Sequence, residues 1–202
     1  MSFGLHRFWK EHIFDFLNAE KNEIFLDLAG GSGDISKIIT KKFPENKCVL
    51  VDNNNQMILE AKNKLKGSNV DFVCAESEKL PFKSQSFDYI IVSFGLRNFS
   101  NINSSLFEIQ RCLKKNGLFI CLEFSNVNRK TLRFLTELYY EVIPKLGKVF
   151  VGNEFAYKYL VESIKNFPNQ IELTKKLIKS GFKKVECFDL MGGIASIHLG
   201  KK

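Results

Sequence analysis

The clearest indication of the fold is a stretch near the N-terminus that reads Ile24-Phe25-Leu26-Asp27-Leu28-Ala29-Gly30-Gly31-Ser32-Gly33-Asp34. Its first half has the apolar character of a buried strand, and the glycines that follow predict a tight turn. An amphipathic segment from Asp34 to about Lys42 comes directly after the turn and predicts a helix. A strand, a glycine-rich turn and a helix in this order are typical of an α/β unit that holds a ligand against bare backbone.

The same alternation of apolar runs and amphipathic segments continues as far as Phe124. It predicts strands at residues 24–29, 48–51, 70–74, 89–93 and 118–124, and helices at residues 34–42, 57–66 and 104–113. The last of these helices is expected to stop before a turn at Asn116-Gly117. Apolar strands separated by helices predict a Rossmann-like, doubly wound α/β fold, in which a mostly parallel sheet carries helices on both faces.

The pattern changes after Phe124. Helices are predicted at residues 131–142, 154–165 and 173–180, and a final pair of strands at residues 184–190 and 194–199. Because this tail does not repeat the strand-helix unit, we expect a helical insertion over residues 125–170 on the substrate side of the sheet, and an antiparallel C-terminal strand. Plain scaffold helices fit the same pattern. No linker or repeat divides the chain, so residues 1–202 are interpreted as one domain.

Composition excludes several classes of protein. The chain has 202 residues, of which 45% are hydrophobic and 26% charged, a balance typical of a globular domain. No apolar run is long enough to span a bilayer and no leader is recognisable, so a cytoplasmic protein is expected. The net charge of +8 comes mostly from lysines spread along the chain, so no nucleic acid is expected as a partner. Five scattered cysteines and three histidines without ligand spacing predict no metal site.

The glycine-rich turn predicts a nucleoside ligand that carries positive charge and no phosphate. Asp52 ends the second predicted strand, 19 residues after Gly33, where an acidic side chain can bind both hydroxyls of a ribose. The turn lacks the third glycine of a dinucleotide-binding loop, because Ser36 stands there, and no phosphate-loop lysine follows it. Asp34 would repel a pyrophosphate and suit a cation. S-adenosylmethionine meets these conditions, and a purely structural turn is the alternative.

Other predicted ligand contacts follow from position in the fold. They are glycines of the turn, loop residues after the third strand, where an adenine ring would lie, and the last residue of the fourth strand: Gly30, Gly31 and Gly33, Glu76 and Ser77, and Ser93. By composition alone, Glu76, Ser77 and Ser93 could equally be ordinary loop or strand-end residues that contact no ligand.

Several segments outside the turn narrow the choice of protein family. They are Met1–Lys10, Glu78-Lys-Leu-Pro-Phe82, Phe87-Asp88, Ser93-Phe-Gly-Leu-Arg-Asn98, Leu122-Glu-Phe-Ser125 and Tyr157-x-Tyr159-Leu-x-Glu-Ser-Ile164. Together with the turn, these segments resemble the ubiquinone/menaquinone biosynthesis C-methyltransferase family (UbiE type). The segment from Ser93 to Asn98 is the most specific of them, and the resemblance covers nearly the whole chain.

The resemblance implies a class I methyltransferase with S-adenosylmethionine as its cofactor. It implies cofactor contacts at Ser32, Asp52, Glu76, Ser77 and Ser93. Family members usually begin some tens of residues earlier, with a segment that helps to close over the cofactor. The usual N-terminal lid segment is therefore expected to be absent here.

The implied reaction is C-methylation of a prenylated quinol ring, either 2-methoxy-6-polyprenyl-1,4-benzoquinol, demethylmenaquinol or both. A ring carbon becomes nucleophilic when an adjacent phenol loses or shares its proton, which requires the reduced quinol. The prenyl tail of such a substrate lies in a bilayer, so a peripheral contact with the inner face of the membrane is expected. A homodimer or a quinone-biosynthesis complex is the assembly expected for such an enzyme.

Three residues near the expected meeting point of cofactor and acceptor are candidates for catalysis. Arg97, after the fourth strand, could stabilise charge on the phenol oxygen, or it could clamp the loop. Asn98 could orient the same oxygen or cap the turn. Glu123, at the end of the fifth strand, could act as a base through water, and a structural hydrogen-bond acceptor fits equally well.

Other functions stay open on the sequence alone. A methyltransferase for another small molecule would share the cofactor loop. A nucleic-acid methyltransferase would commonly carry a Pro-Pro-Tyr or Pro-Pro-Phe motif where this chain has Ser93-Phe-Gly-Leu96. A catalytically impaired scaffold subunit of a quinone-biosynthesis assembly is the alternative outside enzymes. A nicotinamide dehydrogenase is disfavoured because the loop suits no pyrophosphate.

Overall fold

The structure is a computed structural model that describes residues 5–125 and 154–202. The predicted helix at residues 131–142 and most of the predicted insertion at residues 125–170 lie outside these residues. None of the described helices is long and apolar enough to cross a membrane.

Seven strands of the described residues form one sheet. They are β1 (Ile24–Leu28), β2 (Lys47–Asp52), β3 (Val70–Cys74), β4 (Phe87–Ser93), β5 (Leu113–Phe124), β6 (Lys183–Leu190) and β7 (Ala195–Lys201). The order across the sheet is β3-β2-β1-β4-β5-β7-β6, and β7 runs antiparallel to both of its neighbours. The remaining pairs are parallel. This confirms the predicted doubly wound sheet with an antiparallel C-terminal strand.

Six helices flank the sheet in the described part of the chain. They are α1 (Leu5–His12), α2 (Asp34–Lys42), α3 (Asn55–Lys64), α4 (Ile102–Cys112), α5 (Glu154–Asn166) and α6 (Gln170–Lys179). Helix α2 has the predicted bounds. Helix α3 begins two residues earlier than predicted because the Asn54 side chain accepts a hydrogen bond from the Gln56 amide and caps it.

The core lies on both faces of the sheet, as strands buried on both sides require. Side chains alternate along β1, so that Phe25 packs into one apolar cluster and Leu26 and Leu28 into the other. Helices α4 and α6 contribute to the cluster of Leu26 and Leu28. The cluster of Phe25 is closed by α2 and by Trp9 of α1.

Other elements near the N-terminus and around β5 also differ from the sequence prediction. Helix α1 and the 3₁₀ turn after it, Ile13–Phe16, were not predicted. Strand β5 begins at Leu113, directly after α4, so Asn116 and Gly117 lie inside the strand and not in a turn before it. Asn116 has a φ of +66°, and the pairing of β4 with β5 shifts register nearby. Turn-forming residues within a strand produce an irregularity of this kind.

Candidate active site

A cleft of about 400 Å³ opens at the carboxyl ends of β1 to β4, where doubly wound sheets bind ligands. Most of the predicted ligand contacts line it, namely Gly30, Gly31, Ser32, Asp52, Glu76, Ser77 and Ser93, as does Asn98. Three predicted residues do not. Gly33, Arg97 and Glu123 lie outside the lining of this cleft.

The turn after β1 presents backbone to the cleft. Gly31 has a φ of +53°, and no described atom outside Gly31 and its two chain neighbours lies within 4 Å of the position that a Cβ atom would occupy. A ligand can therefore approach its backbone closely. Gly33, with a φ of +82°, has a different role, because a Cβ atom there would lie 2.7 Å from the Cδ1 atom of Leu65. The absence of a side chain at Gly33 serves the packing of α2 against Leu65.

The carboxylate of Asp52 is fixed by two backbone groups. The Gly31 amide donates a hydrogen bond to Oδ2, and the Asn54 amide donates one to Oδ1, each at 2.9 Å. A carboxylate oxygen can accept more than one hydrogen bond, so both oxygens keep capacity for a ligand. Two neighbouring acceptors at the edge of the cleft match the two hydroxyls of a ribose.

The side chains of Glu76 and Ser77, which follow β3, both have hydrogen-bond partners within the protein. The Ser77 hydroxyl lies 2.9 Å from the Ser105 hydroxyl of α4 and 3.0 Å from the Glu78 carboxylate. Glu76 accepts a hydrogen bond from the Asn53 amide group at 3.2 Å. The Glu76 side chain is exposed and lines the cleft, so its carboxylate keeps acceptor capacity for a ligand, as does the backbone of residues 76 and 77.

The Ser93 hydroxyl differs from the side chains of Glu76 and Ser77 in its hydrogen bonding. Its oxygen atom is inaccessible to solvent and has no hydrogen-bond partner among the described residues. Buried polar atoms of this kind are rare in native proteins and often mark a position that a ligand completes. Ser93 is the last residue of β4 and lines the cleft.

The cleft is acidic. Five carboxylates line it among the described residues, against one lysine, Lys10. The cation-attracting role predicted for Asp34 needs correction, because Lys10 and Lys64 both form ion pairs with this carboxylate. Burial opposes ionisation of Asp34, but the hydrogen bonds from the two lysines outweigh it and hold the pKa of Asp34 below its ordinary value. Attraction for a cation comes instead from the other four acidic residues.

Asp27 of β1 is an acidic cleft residue that the sequence analysis did not single out. It is buried, and its Oδ2 atom accepts hydrogen bonds from the Ser36 amide at 2.9 Å and the Ser36 hydroxyl at 2.6 Å. Burial raises the pKa of Asp27 to about 6, against the opposing effect of those hydrogen bonds. Its position in the strand before the glycine-rich turn was the signal available in the sequence.

The raised pKa of Asp27 predicts a pH dependence of stability. The native state holds this proton to a higher pH than the unfolded chain, so the contribution of Asp27 is greatest below about pH 4 and is lost as the pH rises through 6. We expect the Asp27→Asn variant to gain about 2.5 kcal/mol in unfolding free energy relative to the parent between pH 4 and pH 7.5. Urea unfolding of both proteins at the two pH values measures this, and parallel pH profiles would contradict it.

Arg97 and Glu123, predicted separately as catalytic candidates, form an ion pair. The Arg97 guanidinium donates from Nη1 to the Oε1 atom of Glu123 at 2.5 Å and to the Phe94 carbonyl at 2.7 Å. The Arg97 amide donates to Oε2 of Glu123 at 3.2 Å. Burial raises the pKa of Glu123, and the charge of Arg97 opposes that rise. Glu123 is therefore tied to the loop after β4 through Arg97.

A second pocket, of about 270 Å³, lies next to the cleft. It is lined by Arg97, Ile102, Tyr159, Glu162, Ser163, Asn166 and Phe167. The Tyr159 hydroxyl donates a hydrogen bond to the Oδ1 atom of Asn98 at 3.0 Å, and Asn98 lines the cleft. Asn98 thus lies at the border between the cleft and the second pocket, and Arg97 lines the second pocket.

An aromatic cluster that the sequence analysis did not predict adjoins the cleft. Phe94 lines the cleft, and its ring centroid lies 4.7 Å from that of Phe124 and 6.2 Å from that of Trp9. The Arg97 guanidinium lies 5.5 Å from the Phe124 ring centroid. The cluster thus joins the N-terminal helix to the ends of β4 and β5.

Comparison with known proteins agrees with this geometry. The model of the ubiE/COQ5 methyltransferase family matches residues 1–202. The chain belongs to this family. A ubiquinone/menaquinone biosynthesis C-methyltransferase UbiE from Rickettsia bellii is 43% identical over all of this chain and 85% of its own length. A protein of the same name from Hydrogenovibrio crunogenus is 37% identical over all of this chain and 82% of its own length.

Solved structures support the fold of the family. A SAM-dependent methyltransferase from Aquifex aeolicus superposes with a TM-score of 0.72 over 98% of this chain and 92% of its own, at 18% identity. Its membership of the family makes the protein an S-adenosylmethionine-dependent methyltransferase. The cleft fits this cofactor, because a paired acceptor stands at Asp52, an unpartnered hydroxyl at Ser93 and open backbone at Gly31.

Proposed function

We propose that this enzyme transfers a methyl group from S-adenosylmethionine to a ring carbon of a prenylated quinol in ubiquinone or menaquinone biosynthesis. The observation that carries the proposal is the match of the whole chain to C-methyltransferases named for this reaction. The acidic cleft supports it, since a sulfonium cofactor carries positive charge and no phosphate.

The cofactor is assigned to the cleft residue by residue. Asp52 binds the ribose hydroxyls, and the backbone of residues 76 and 77 borders the adenine ring. The open backbone of Gly30, Gly31 and Ser32 and the hydroxyl of Ser93 bind the remainder of the cofactor. Gly33 contributes by placing α2, without contact of its own. The bound cofactor supplies an electrophilic methyl group.

The acceptor ring is assigned to the border between the cleft and the second pocket, at Asn98. The methyl carbon bonds to a ring carbon, the bond between sulfur and methyl breaks with its electron pair staying on sulfur, and the ring carbon then loses its proton to water. Asn98 orients the phenol oxygen, and the charge of Arg97 favours its ionised form. Glu123 holds Arg97 in place and is a positioning residue and not the base.

The substrate also suggests where the enzyme works. A prenylated quinol resides in a bilayer, so we include a peripheral contact with the membrane in this proposal. A homodimer or a complex of quinone-biosynthesis enzymes is the assembly that we associate with it.

Methyl transfer from labelled S-adenosylmethionine tests the proposed function. Chemically reduced 2-methoxy-6-prenyl-1,4-benzoquinol and demethylmenaquinol serve as acceptors, with the oxidised quinones as controls. We expect label on the ring with the reduced acceptors and none with the oxidised ones. No transfer in spite of cofactor binding would indicate another acceptor, and no cofactor binding would indicate a scaffold function.

A further inference from the structure

Lys10 of α1 has a distinctive position in the cleft. It is the one basic residue among the described residues that line the cleft, and its side chain is 15% exposed. Its ammonium group donates a hydrogen bond to the Oδ2 atom of Asp34 at 2.8 Å. Asp34 is the first residue of α2 and follows the glycine-rich turn directly. A cation is therefore held beside the backbone to which the cofactor binds.

The charge of Lys10 is not cancelled by this pairing. The other oxygen of Asp34 accepts a hydrogen bond from Lys64 of α3, so one carboxylate is shared by two ammonium groups. The three side chains together carry a net charge of +1. An ammonium group has three N–H donors, and the bond to Asp34 uses one of them. Lys10 can therefore donate to a second anion from the cleft side, whereas Lys64 does not line the cleft.

The order of the strands places Lys10 relative to the cofactor. Asp52 ends β2 and residues 76 and 77 follow β3, so the nucleoside occupies the β2–β3 side of the cleft. Lys10 reaches the β1 side, since it pairs with the first residue of α2 and its charge also acts on Asp27 of β1. The part of S-adenosylmethionine that extends away from the ribose is the amino acid. Its carboxylate is the one anionic group of the cofactor.

We propose that Lys10 binds the carboxylate of the amino-acid part of S-adenosylmethionine and that Asp34, shared with Lys64, fixes the Lys10 ammonium group in the cleft. The inference rests on the cofactor and not on the identity of the acceptor. It also gives α1 a function, because a residue of this helix completes the cofactor site. Trp9, the neighbour of Lys10, anchors the helix in the core.

The proposal is tested by measuring how tightly the parent protein and a Lys10 variant each bind two forms of the cofactor. Binding of S-adenosylmethionine and of decarboxylated S-adenosylmethionine, which lacks only the carboxylate, is measured by calorimetry without any acceptor. The Lys10→Met variant is expected to bind S-adenosylmethionine about 10- to 100-fold more weakly than the parent, the effect of losing a charged hydrogen bond. It is expected to bind the decarboxylated ligand as tightly as the parent does, within about threefold.

The matched control is Lys64→Met, which removes the other partner of Asp34. Because Lys64 offsets part of the charge of Asp34 but does not line the cleft, we expect Lys64→Met to weaken the binding of S-adenosylmethionine less than Lys10→Met does and to leave the affinity for the decarboxylated ligand within about threefold. We expect Lys10→Arg to recover part of the lost affinity. An equal loss for both ligands in Lys10→Met, or the same loss in Lys64→Met, would overturn the proposal in favour of a structural role. Because no quinol is present, failure of this inference is separable from failure of the proposed reaction.

Discussion

Replacing Asp52 with alanine is expected to weaken the binding of S-adenosylmethionine by about 100-fold or more, with a matching loss of methyl transfer at low cofactor concentration. Each hydrogen bond from a ribose hydroxyl to a carboxylate contributes about 1.5–3 kcal/mol, and two of them are lost together. The substitution also removes the acceptor that fixes the Gly31 amide at 2.9 Å and so loosens the turn against which the cofactor lies.

Two variants serve as controls for Asp52→Ala. Asp52→Asn keeps one carbonyl oxygen, so it should retain an affinity between those of the parent and the alanine variant. Glu76→Gln removes one negative charge from an exposed side chain of the same cleft, and we expect a change of less than about threefold. Calorimetry with S-adenosylhomocysteine measures all three. The assignment of Asp52 to the ribose fails if its alanine variant binds as well as Glu76→Gln.

The second large effect is expected from the ion pair of Arg97 and Glu123. Glu123 is 1% exposed and the Arg97 side chain 12%, so Glu123→Ala leaves a nearly buried guanidinium without its counter-ion. Breaking a buried pair in this way destabilises proteins by about 3–5 kcal/mol. It also frees the loop between Phe94 and Arg97, which borders both the cleft and the second pocket. We therefore expect both the free energy of unfolding and the rate of methyl transfer to fall.

A double variant separates the two effects. Arg97→Met combined with Glu123→Leu leaves no unpaired charge, so we expect it to recover most of the lost stability but none of the activity. The exposed pair of Lys21 and Glu45 is the control, and Glu45→Ala should change the unfolding free energy by less than about 1 kcal/mol. Urea unfolding measures each variant. A fully active double variant would show that Arg97 has no part in the reaction.

Much of the sheet could be predicted from the sequence, because its strands are short apolar runs separated by amphipathic helices. The stretch from Ile24 to Asp34 and the position of Asp52 also located the cofactor cleft, since both depend on local order along the chain. Asn116 and Gly117 were misplaced for the same reason. Their composition predicts a turn, whereas in the structure they lie in an irregular part of β5, between Leu113, which pairs with Phe87, and Leu118, which pairs with Tyr89.

The chemistry of the site was less predictable, because it depends on contacts between distant residues. Arg97 and Glu123 are 26 residues apart, and the alignment of Ser93 with Leu122 in neighbouring strands brings them together. The same holds for Asp34, whose two lysine partners come from α1 and α3. Its charge looked available to a ligand in the sequence and is neutralised in the folded protein. Such pairings cannot be inferred from the order of residues along the chain.

The position of β7 has a consequence for how the protein is made. Strand β6 is synthesised before β7, yet in the described part of the chain its one neighbour in the sheet is β7. Until β7 emerges from the ribosome, the edge of β5 is uncovered and β6 has nothing to join. An uncovered edge of an apolar strand is a site for aggregation. Until β7 has paired with β5, aggregation at this edge can therefore compete with completion of the sheet.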